Sequence, residues 1–486
     1  MPKDKEQWTI TIDSFGGFSP AWFDNTWTAF GNKSQASAMV NANIIDPNVL
    51  TQGAGAVDLT SGDENGELGS VLITSILKHA TASSVTYACG ADKVFKITPT
   101  AVSNGNFPKT ISAGTANVST SLLYYKTKVF VFWNDTGVDG DIGLLTNDTT
   151  WDDNWGSTVP TGAAQLEDAP HYGIVGGDDV MYYTNGRYIG NYDGTTLDTE
   201  ALDFWTDSEV VSLTWNQNRI WAAVNRPNIT GSNFNQSGIY KWNGVSSSWE
   251  GDPVEVPGEI GALYTKNGIT FVWWADSIST GAFWLGYVSG GQLVPLRRFT
   301  GSLPNQDQAG EHKGFLMWVT DNKVYLWGAR DVNIPVRLFH YMSGKHATIG
   351  AIAAPFGELL VSSYAGANYS LAKESGYTVT SSRKSVVFNV SGADFVSQID
   401  LIKVETEQMS TGAKVDITIT YNQGKSTKAT TQIAYAAANK TRHKILNGGP
   451  ANIEDFRIDV DWANGSATNP VKIRSIMVQG HYIKQN

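Results

Sequence analysis

At 486 residues the chain is long enough for two or three domains, and its 46 Asp and Glu against 35 Lys and Arg give a net charge of −11, which argues against a nucleic-acid-binding surface. Aromatics at 11%, 49 glycines and only 17% charged residues exclude disorder and a helical bundle, and fit many short strands joined by tight turns. The single cysteine, Cys89, excludes an intramolecular disulfide, so stability has to come from burial and strand pairing.

From the N-terminus, residues 1–7 lack the apolar stretch of a secretory signal, and no run approaches the roughly 20 apolar residues of a membrane span. The expectation is a protein made in a cytoplasm, with no membrane span. Residues 8–12, Trp-Thr-Ile-Thr-Ile, alternate as an edge strand would. A Gly/Ser/Asn-rich stretch follows, with Trp22, Phe23 and Trp27 as anchors. In residues 46–60 a proline and spaced glycines rule out a helix and predict an extended segment with one short strand. Residues 1–66 therefore read as an N-terminal arm. Its aromatics Trp8, Trp22, Phe23 and Trp27 are expected to bury against a neighbouring subunit or the chain's own body, and its strand could close a ring beside the last repeat.

Residues 67–374 carry a weak repeat in which a polar turn runs into a β-branched or aromatic strand. The copies are Asp92-Lys93-Val94-Phe95, Thr127-Lys128-Val129-Phe130, Asp178-Asp179-Val180-Met181, Asn218-Arg219-Ile220-Trp221, Asn267-Gly268-Ile269-Thr270, Asn322-Lys323-Val324-Tyr325 and Gly357-Glu358-Leu359-Leu360. Between first apolar residues the steps are 35, 51, 40, 49, 55 and 35. Their mean of about 44 is the length of one four-stranded propeller blade. Further turn signals at Asp193-Gly194, Asn243-Gly244 and Gly290-Gly291 fit tight hairpins. The fold class is all-β, with about seven propeller blades; an irregular stack of hairpins is the alternative. Only the segment around Trp242 and Trp249 looks kelch-like.

After residue 375 the repeat gives way to long alternating strands at 386–390, 399–404, 414–421, 432–435, 456–462 and 471–478. This patterning predicts a C-terminal antiparallel β-sandwich or jelly roll over 375–486. Residues 376–486 hold 13 Lys and Arg against 9 Asp and Glu, a balance of +4, leaving 22 against 37, or −15, for residues 1–375. The two parts can therefore face different neighbours, or each other.

Chemistry-bearing motifs are sparse. Gly424-Lys425-Ser426 sits between alternating strands and lacks the first glycine of a P-loop, so it reads as a hairpin turn. Asp135, Asp139 and Asp141 gather carboxylates within seven residues and are a candidate Ca²⁺ site, although an Asp-Gly turn needs no metal and the downstream Glu of an EF-hand is missing. Ser61-Gly62-Asp63 departs from an Asp-box, the histidines show no zinc spacing, and Cys89 reads as a buried, inert thiol. No catalytic residue and no cofactor is assigned.

Residues 46–53, Asp-Pro-Asn-Val-Leu-Thr-Gln-Gly, irregular Trp/Tyr-rich blades and a C-terminal sandwich together resemble the β-propeller structural proteins of tailed bacteriophages, the tail nozzle, hub and neck components. The resemblance implies a non-enzymatic virion protein in a homo-oligomeric ring, bound to other tail or neck proteins and made in the bacterial cytoplasm. Two rival readings are a glycan-binding propeller for host attachment, which needs outward-facing aromatics, and a propeller glycoside hydrolase, which needs two opposed carboxylates.

Overall fold

The computed structural model describes residues 7–12, 17–18, 26–27, 35–40, 42–43, 51–52, 54–59, 68, 71–78, 81, 85–103, 106–113, 117–135, 137–226, 237–276, 280–320, 323–328, 337–343, 348–365, 368–377, 380–385, 387–390, 395–422, 426–429, 433–434, 442–447, 451–463 and 470–484. Among them strands dominate, and the one α-helix is the four-residue Trp155–Thr158. No helix among the described residues is long and apolar enough to cross a membrane.

Six small antiparallel sheets, and between the last two of them the four-strand antiparallel end of a larger sheet, follow one another along the chain. Sheet I is built on Ser75–Ile76, Thr86–Gly90 and Lys93–Ile97, and sheet II on Asn117–Tyr125, Lys128–Asp135, Val138–Leu145 and Trp151–Asp152. Sheet III holds Gly173–Val175, Met181–Asn185, Tyr188–Tyr192 and Leu197–Asp203; sheet IV holds Glu209–Asn216, Arg219–Asn225, Ser237–Trp242 and Glu250–Val256. Sheet V runs through Ile260–Lys266, Ile269–Ala275, Ala282–Ser289 and Gln292–Thr300, and sheet VI through Ala309–His312, Phe315–Thr320, Lys323–Gly328 and Arg337–Ser343. Sheet VII takes Thr348–Ala353, Leu360–Ala365 and Asn368–Tyr377 and adds Ala54–Asp58 as its fourth strand. The first strand of each sheet touches the first strand of the next, and that of sheet VII touches that of sheet I, so the array closes in a propeller-like cycle.

The turns and the two-residue period explain this arrangement. Between first and second strands the chain reverses through pairs of positive-φ residues: Lys126 (44°) and Thr127 (65°), Gln217 (52°) and Asn218 (58°), Asn267 (50°) and Gly268 (77°), Lys313 (50°) and Gly314 (81°). Two such residues in succession match the twist of the flanking strands and keep them paired. Successive side chains on a strand then point to opposite faces, and in a sheet with neighbours on both sides each face has its own partner. Phe130 and Phe132 pack on Met181 and Tyr183 of sheet III, while Val129, Val131 and Trp133 pack on Tyr87, Cys89 and Val94 of sheet I. Tyr182, between Met181 and Tyr183, turns the other way onto Leu213 and Ile220 of sheet IV. Central strands are accordingly buried along their whole length, as in Met181–Asn185 and Phe315–Thr320. Where sheets VII and I meet, a Cβ on Gly90 or Gly350 would strike the carbonyl oxygen of Leu72 or Ile73, so glycine permits the close approach.

The repeat noted in the sequence is real as turn and strand but mixed in phase. Its copies open second strands in sheets II, III, IV, V and VII, yet third strands in sheets I and VI. True second strands begin at Thr86, Lys128, Met181, Arg219, Ile269, Phe315 and Leu360, giving steps of 42, 53, 38, 50, 46 and 45. The short and long intervals at the two ends of the sequence series thus came from switching strands. Polar turns recur at several places in each sheet, so turn chemistry alone cannot fix the phase.

The arm is divided between two sheets. Ala54–Asp58 pairs antiparallel with Asn368–Tyr377, Asp58 opposite Ala372 and Val57 opposite Lys373, and completes sheet VII. Gln7–Ile12 pairs with Ile473–Lys484 in a second assembly of strands, where Phe395–Thr406 and Arg442–Asn447 extend the same sheet. Opposite lies a sheet containing Thr380–Ser385, Lys414–Tyr421 and Asp455–Ala463, continuous through Gln35–Val40 and Gly17–Phe18 with sheet VI. One core joins these parts: Ile12, Ile402, Ile476 and Val478 meet Val415, Ile417, Ile458 and Trp462, and the cluster runs on through Phe315 and Met317 of sheet VI and Ile352 and Val361 of sheet VII. The strand through Tyr377 still belongs to sheet VII, slightly past the boundary expected at residue 375.

Candidate functional site

A cavity of about 310 Å³ lies where the inner strands of sheets I to V converge on the turn before sheet VI. Its polar lining comes from Lys78, Ser121, Thr214, Gln306 and Asp307, and its apolar lining includes Leu122, Ile174, Leu213, Leu263 and the half-buried Tyr264.

The turn Gln306–Gln308 positions the polar end. Asn305 caps it: its side-chain oxygen accepts from the backbone N–H of Asp307 and of Gln308, both at 3.1 Å, and the Gln308 side chain accepts from the Asn305 N–H at 3.2 Å. These reciprocal bonds satisfy donors that a single turn would otherwise leave open. The Gln308 side-chain amide donates to the Ile349 carbonyl at 2.9 Å, tying the turn to sheet VII. Gln306 Oε1 accepts from Ser212 Oγ and from the Leu213 N–H, each at 2.8 Å, and Ser212 Oγ in turn accepts from the Leu263 N–H at 2.9 Å. Lys78, from sheet I, donates through Nζ to the carbonyls of Gln306 at 3.1 Å and Ala309 at 3.2 Å. The turn is thus held from sheets I, IV, V and VII together.

Asp307 is 7% exposed, and its Oδ2 has no hydrogen-bond partner. Burial pushes its carboxyl up to about 6, against the opposing pull of the Lys78 charge and the Ser75 hydroxyl. Burial likewise lowers the Lys78 ammonium, which Asp307 partly restores. Ser121, at 2% exposure, also has a hydroxyl without a partner. Asp307 is the one carboxylate lining this cavity among the described residues, so no second carboxylate opposes it there.

The acidic cluster predicted to hold Ca²⁺ does not converge. Asp141 is committed to the short helix: its Oδ1 accepts from the N–H of Ile142 at 2.6 Å and of Ser157 at 3.0 Å, and Ser157 Oγ donates to the other oxygen. Its carboxyl is raised to about 6, chiefly by burial. Asp135 is buried at the end of Lys128–Asp135, while Asp139 is exposed on the following strand. Among the described residues no group of three or more His, Cys, Asp or Glu side chains is placed to hold a metal.

Of the arm aromatics, expected to bury against a neighbouring subunit or the chain's own body, Trp8 takes the second course. Its indole N–H donates to Ser397 Oγ at 3.2 Å and its ring stacks on Phe456 at 5.8 Å, inside its own chain. Strand alternation puts Trp8 on the same face as Ile10 and Ile12, over the C-terminal core. Trp27 lies in Thr26–Trp27, which pairs in parallel with Val387–Asn389. Trp22 and Phe23 fall outside the described residues. Cys89 is fully buried and its thiol is pushed up to about 12 by burial, as expected of an inert group. The large apolar side chains exposed among the described residues are Val, Ile and Leu, none of them aromatic.

Sequence reasoning passed over Lys78, Ser121 and Asp307. Asn305 and Gln308 do carry a readable capping-box spacing, but nothing in it tells that the turn faces the axis of a ring.

No protein-family model matches the sequence, and no curated protein matches it. Among solved structures, the chain is similar to the computationally designed Ika8 protein at 14% identity over 63% of this chain and 97% of that one, with a TM-score of 0.37. It is also similar to the extracellular domain of a one-component system from B. thetaiotaomicron, at 12% identity over 75% of this chain and 45% of that one, TM-score 0.44. A third likeness is to an exo-beta-1,3-galactanase from Phanerochaete chrysosporium, at 9% identity over 89% of this chain and all of that one, TM-score 0.31.

Proposed function

We propose that the chain is a non-enzymatic structural protein of a tailed-phage virion, a multi-copy tail or neck component in which sheets I to VII are the seven blades of a propeller and the C-terminal strands form a β-sandwich. The observation that carries this reading is the use of the arm. One N-terminal segment closes the last sheet through Ala54–Asp58 and, through Gln7–Ile12, pairs with the final strand of the chain. Ring and C-terminal part are thereby stitched into one stiff body, as a load-carrying platform requires.

With Trp8 turned inward, contact between copies falls to other surfaces. The acidic residues 1–375 and the mildly basic residues 376–486 suit a head-to-tail contact, which closes into a ring when the rotation permits. Light scattering and electron microscopy of the purified full chain test this. The expected result is a ring of several copies that loosens as salt is raised; a monomer at every concentration and salt would overturn the reading.

A further inference from the structure

We infer that the open edge of the C-terminal strands is a docking surface for the outer strand of sheet III in a second copy of this chain. The contact rests on the head-to-tail association proposed above and gives it two defined surfaces. Both charge excesses are local. Residues 129–218, which run from sheet II through sheet III into sheet IV, hold 16 Asp and Glu against Arg187 alone, or −15, while the rest of residues 1–375 hold 21 against 21. Residues 422–453 hold five Lys and Arg and no Asp or Glu, or +5, while the rest of residues 376–486 hold 8 Lys and Arg against 9 Asp and Glu.

The fold sets these two stretches far apart. In a cycle of seven, sheet VI stands across from the junction of sheets II and III, three steps away in either direction. From the fourth strand of sheet VI the C-terminal sheet continues through Gly17–Phe18, Gln35–Val40, Thr380–Ser385, Asp455–Ala463 and Lys414–Tyr421, and ends at Ser426–Ala429. Six strand spacings put that last strand about 29 Å from sheet VI along the sheet. In the facing sheet Gln7–Ile12 is one edge and Arg442–Asn447 the other. Seven residues link Arg442–Asn447 to Ile433–Ala434, which lies on the same remote edge as Ser426–Ala429, so the basic run borders both sheets on one side. Its charge is thus met by a second copy rather than by the acidic sector of its own chain.

Each surface calls for the opposite sign. Lys444 stands opposite the exposed Lys403 in the strand ladder, and like charges so placed repel, a repulsion that an incoming carboxylate offsets. Arg442 stands opposite Glu405 and needs less from outside. Leu197–Asp203 is the outer strand of sheet III, with Asp198, Glu200 and Asp203 exposed. Arg187 lies 3.3 Å from Asp203, whereas Asp198 and Glu200 make no ion pair among the described residues. Both strands end their sheets, so edge N–H and C=O groups add main-chain bonds to the charge contact. With one acidic and one basic edge on opposite sides, copies join head to tail and close into a ring when the rotation permits.

The test is sedimentation velocity of the full chain against concentration and salt, with two charge-reversed variants: Asp198→Lys with Glu200→Lys, and Lys403→Glu with Lys444→Glu. Each variant alone should need about tenfold more protein than the wild type to associate, since its two edges then carry one sign. An equimolar mixture should associate like the wild type at low salt, because the reversed edges complement each other. Circular dichroism melts establish that both variants fold; one that does not is replaced by its neutral form, Asp198→Asn with Glu200→Gln or Lys403→Gln with Lys444→Gln, for which weaker association is expected without rescue. The inference is overturned if a folded variant associates like the wild type, or if the mixture of reversed variants does not recover. Heparin and duplex DNA are the competing occupants: if Lys403→Glu with Lys444→Glu abolishes their binding and leaves self-association unchanged, the basic edge serves a polyanion and the inference fails. A wild type that associates while both variants match it keeps the head-to-tail reading and removes these surfaces, whereas a wild type that stays monomeric removes both.

Discussion

His171 shows how much one buried side chain can govern the response to acid. It is fully buried in the loop before Gly173–Val175, with Nδ1 2.9 Å from the Thr184 carbonyl, a geometry that puts the proton on Nδ1. Nε2 has no partner, and burial depresses the ring from 6.5 to about 4. Because the native value lies below the unfolded one, the stability gained by keeping the ring neutral is complete above pH 6.5 and is lost as pH falls through 4. The shift corresponds to about 3 kcal/mol. The carboxyls of Asp141 and Asp307, both raised to about 6, act in the opposite sense, adding stability as pH falls from 6 toward 3.8. They are common to wild type and variant, so the difference isolates the histidine. Urea denaturation across this range should show His171→Asn less stable at neutral pH but falling less steeply below pH 6.5; parallel curves would contradict the assignment. None of this is legible in the sequence, where His171 is an isolated histidine with no partner at a recognisable spacing.

For the strands and turns, the sequence is a better guide to existence than to role. The alternating segments at 399–404, 414–421 and 456–462 fall within strands, and that at 471–478 does so from Ile473 onward, because period-2 burial against a single core leaves a readable pattern. Thr380–Ser385, a polar run, and Arg442–Asn447, whose two apolar residues are adjacent instead of alternating, leave no such pattern, and their strand character comes from their neighbours' hydrogen bonds. The turn Lys126-Thr127 holds two positive-φ residues without glycine or asparagine, which propensity does not anticipate. Closure by Ala54–Asp58 was an expectation from edge protection alone, and the pairing with Asn368–Tyr377 gives it a register. Adjacent residues on an edge strand alternate in which N–H faces the partner, so Ala56→Pro with Val57→Pro removes at least one ladder bond. That double variant should lose at least about 1 kcal/mol in thermal or denaturant melts and aggregate more readily through the opened edge of sheet VII. Wild-type stability in the variant would mean that this strand does not hold the ring shut.

Across the whole molecule, the core shared by sheets VI and VII and the C-terminal strands makes separate melting unfavourable. Calorimetry should show ring and C-terminal part unfolding in one transition; two resolved transitions would show the shared core to be weak. Composition and period divide the sequence into an arm, a repeat region and an alternating region, but the continuity of sheet VI into the C-terminal sheet leaves no such mark. It runs through Gly17–Phe18 and Gln35–Val40, short strands in a stretch with little pattern of its own. The pairing of Asp58 with Ala372 also sets an order in time. On the ribosome Ala54–Asp58 must wait, without its partner in sheet VII, while six sheets emerge behind it, and the ring cannot shut until Tyr377 has been synthesised. Contacts so distant along the chain form slowly, and each unfinished chain carries open sheet edges that invite wrong partners. The seam that makes the finished molecule rigid is therefore where its biogenesis is most exposed to failure.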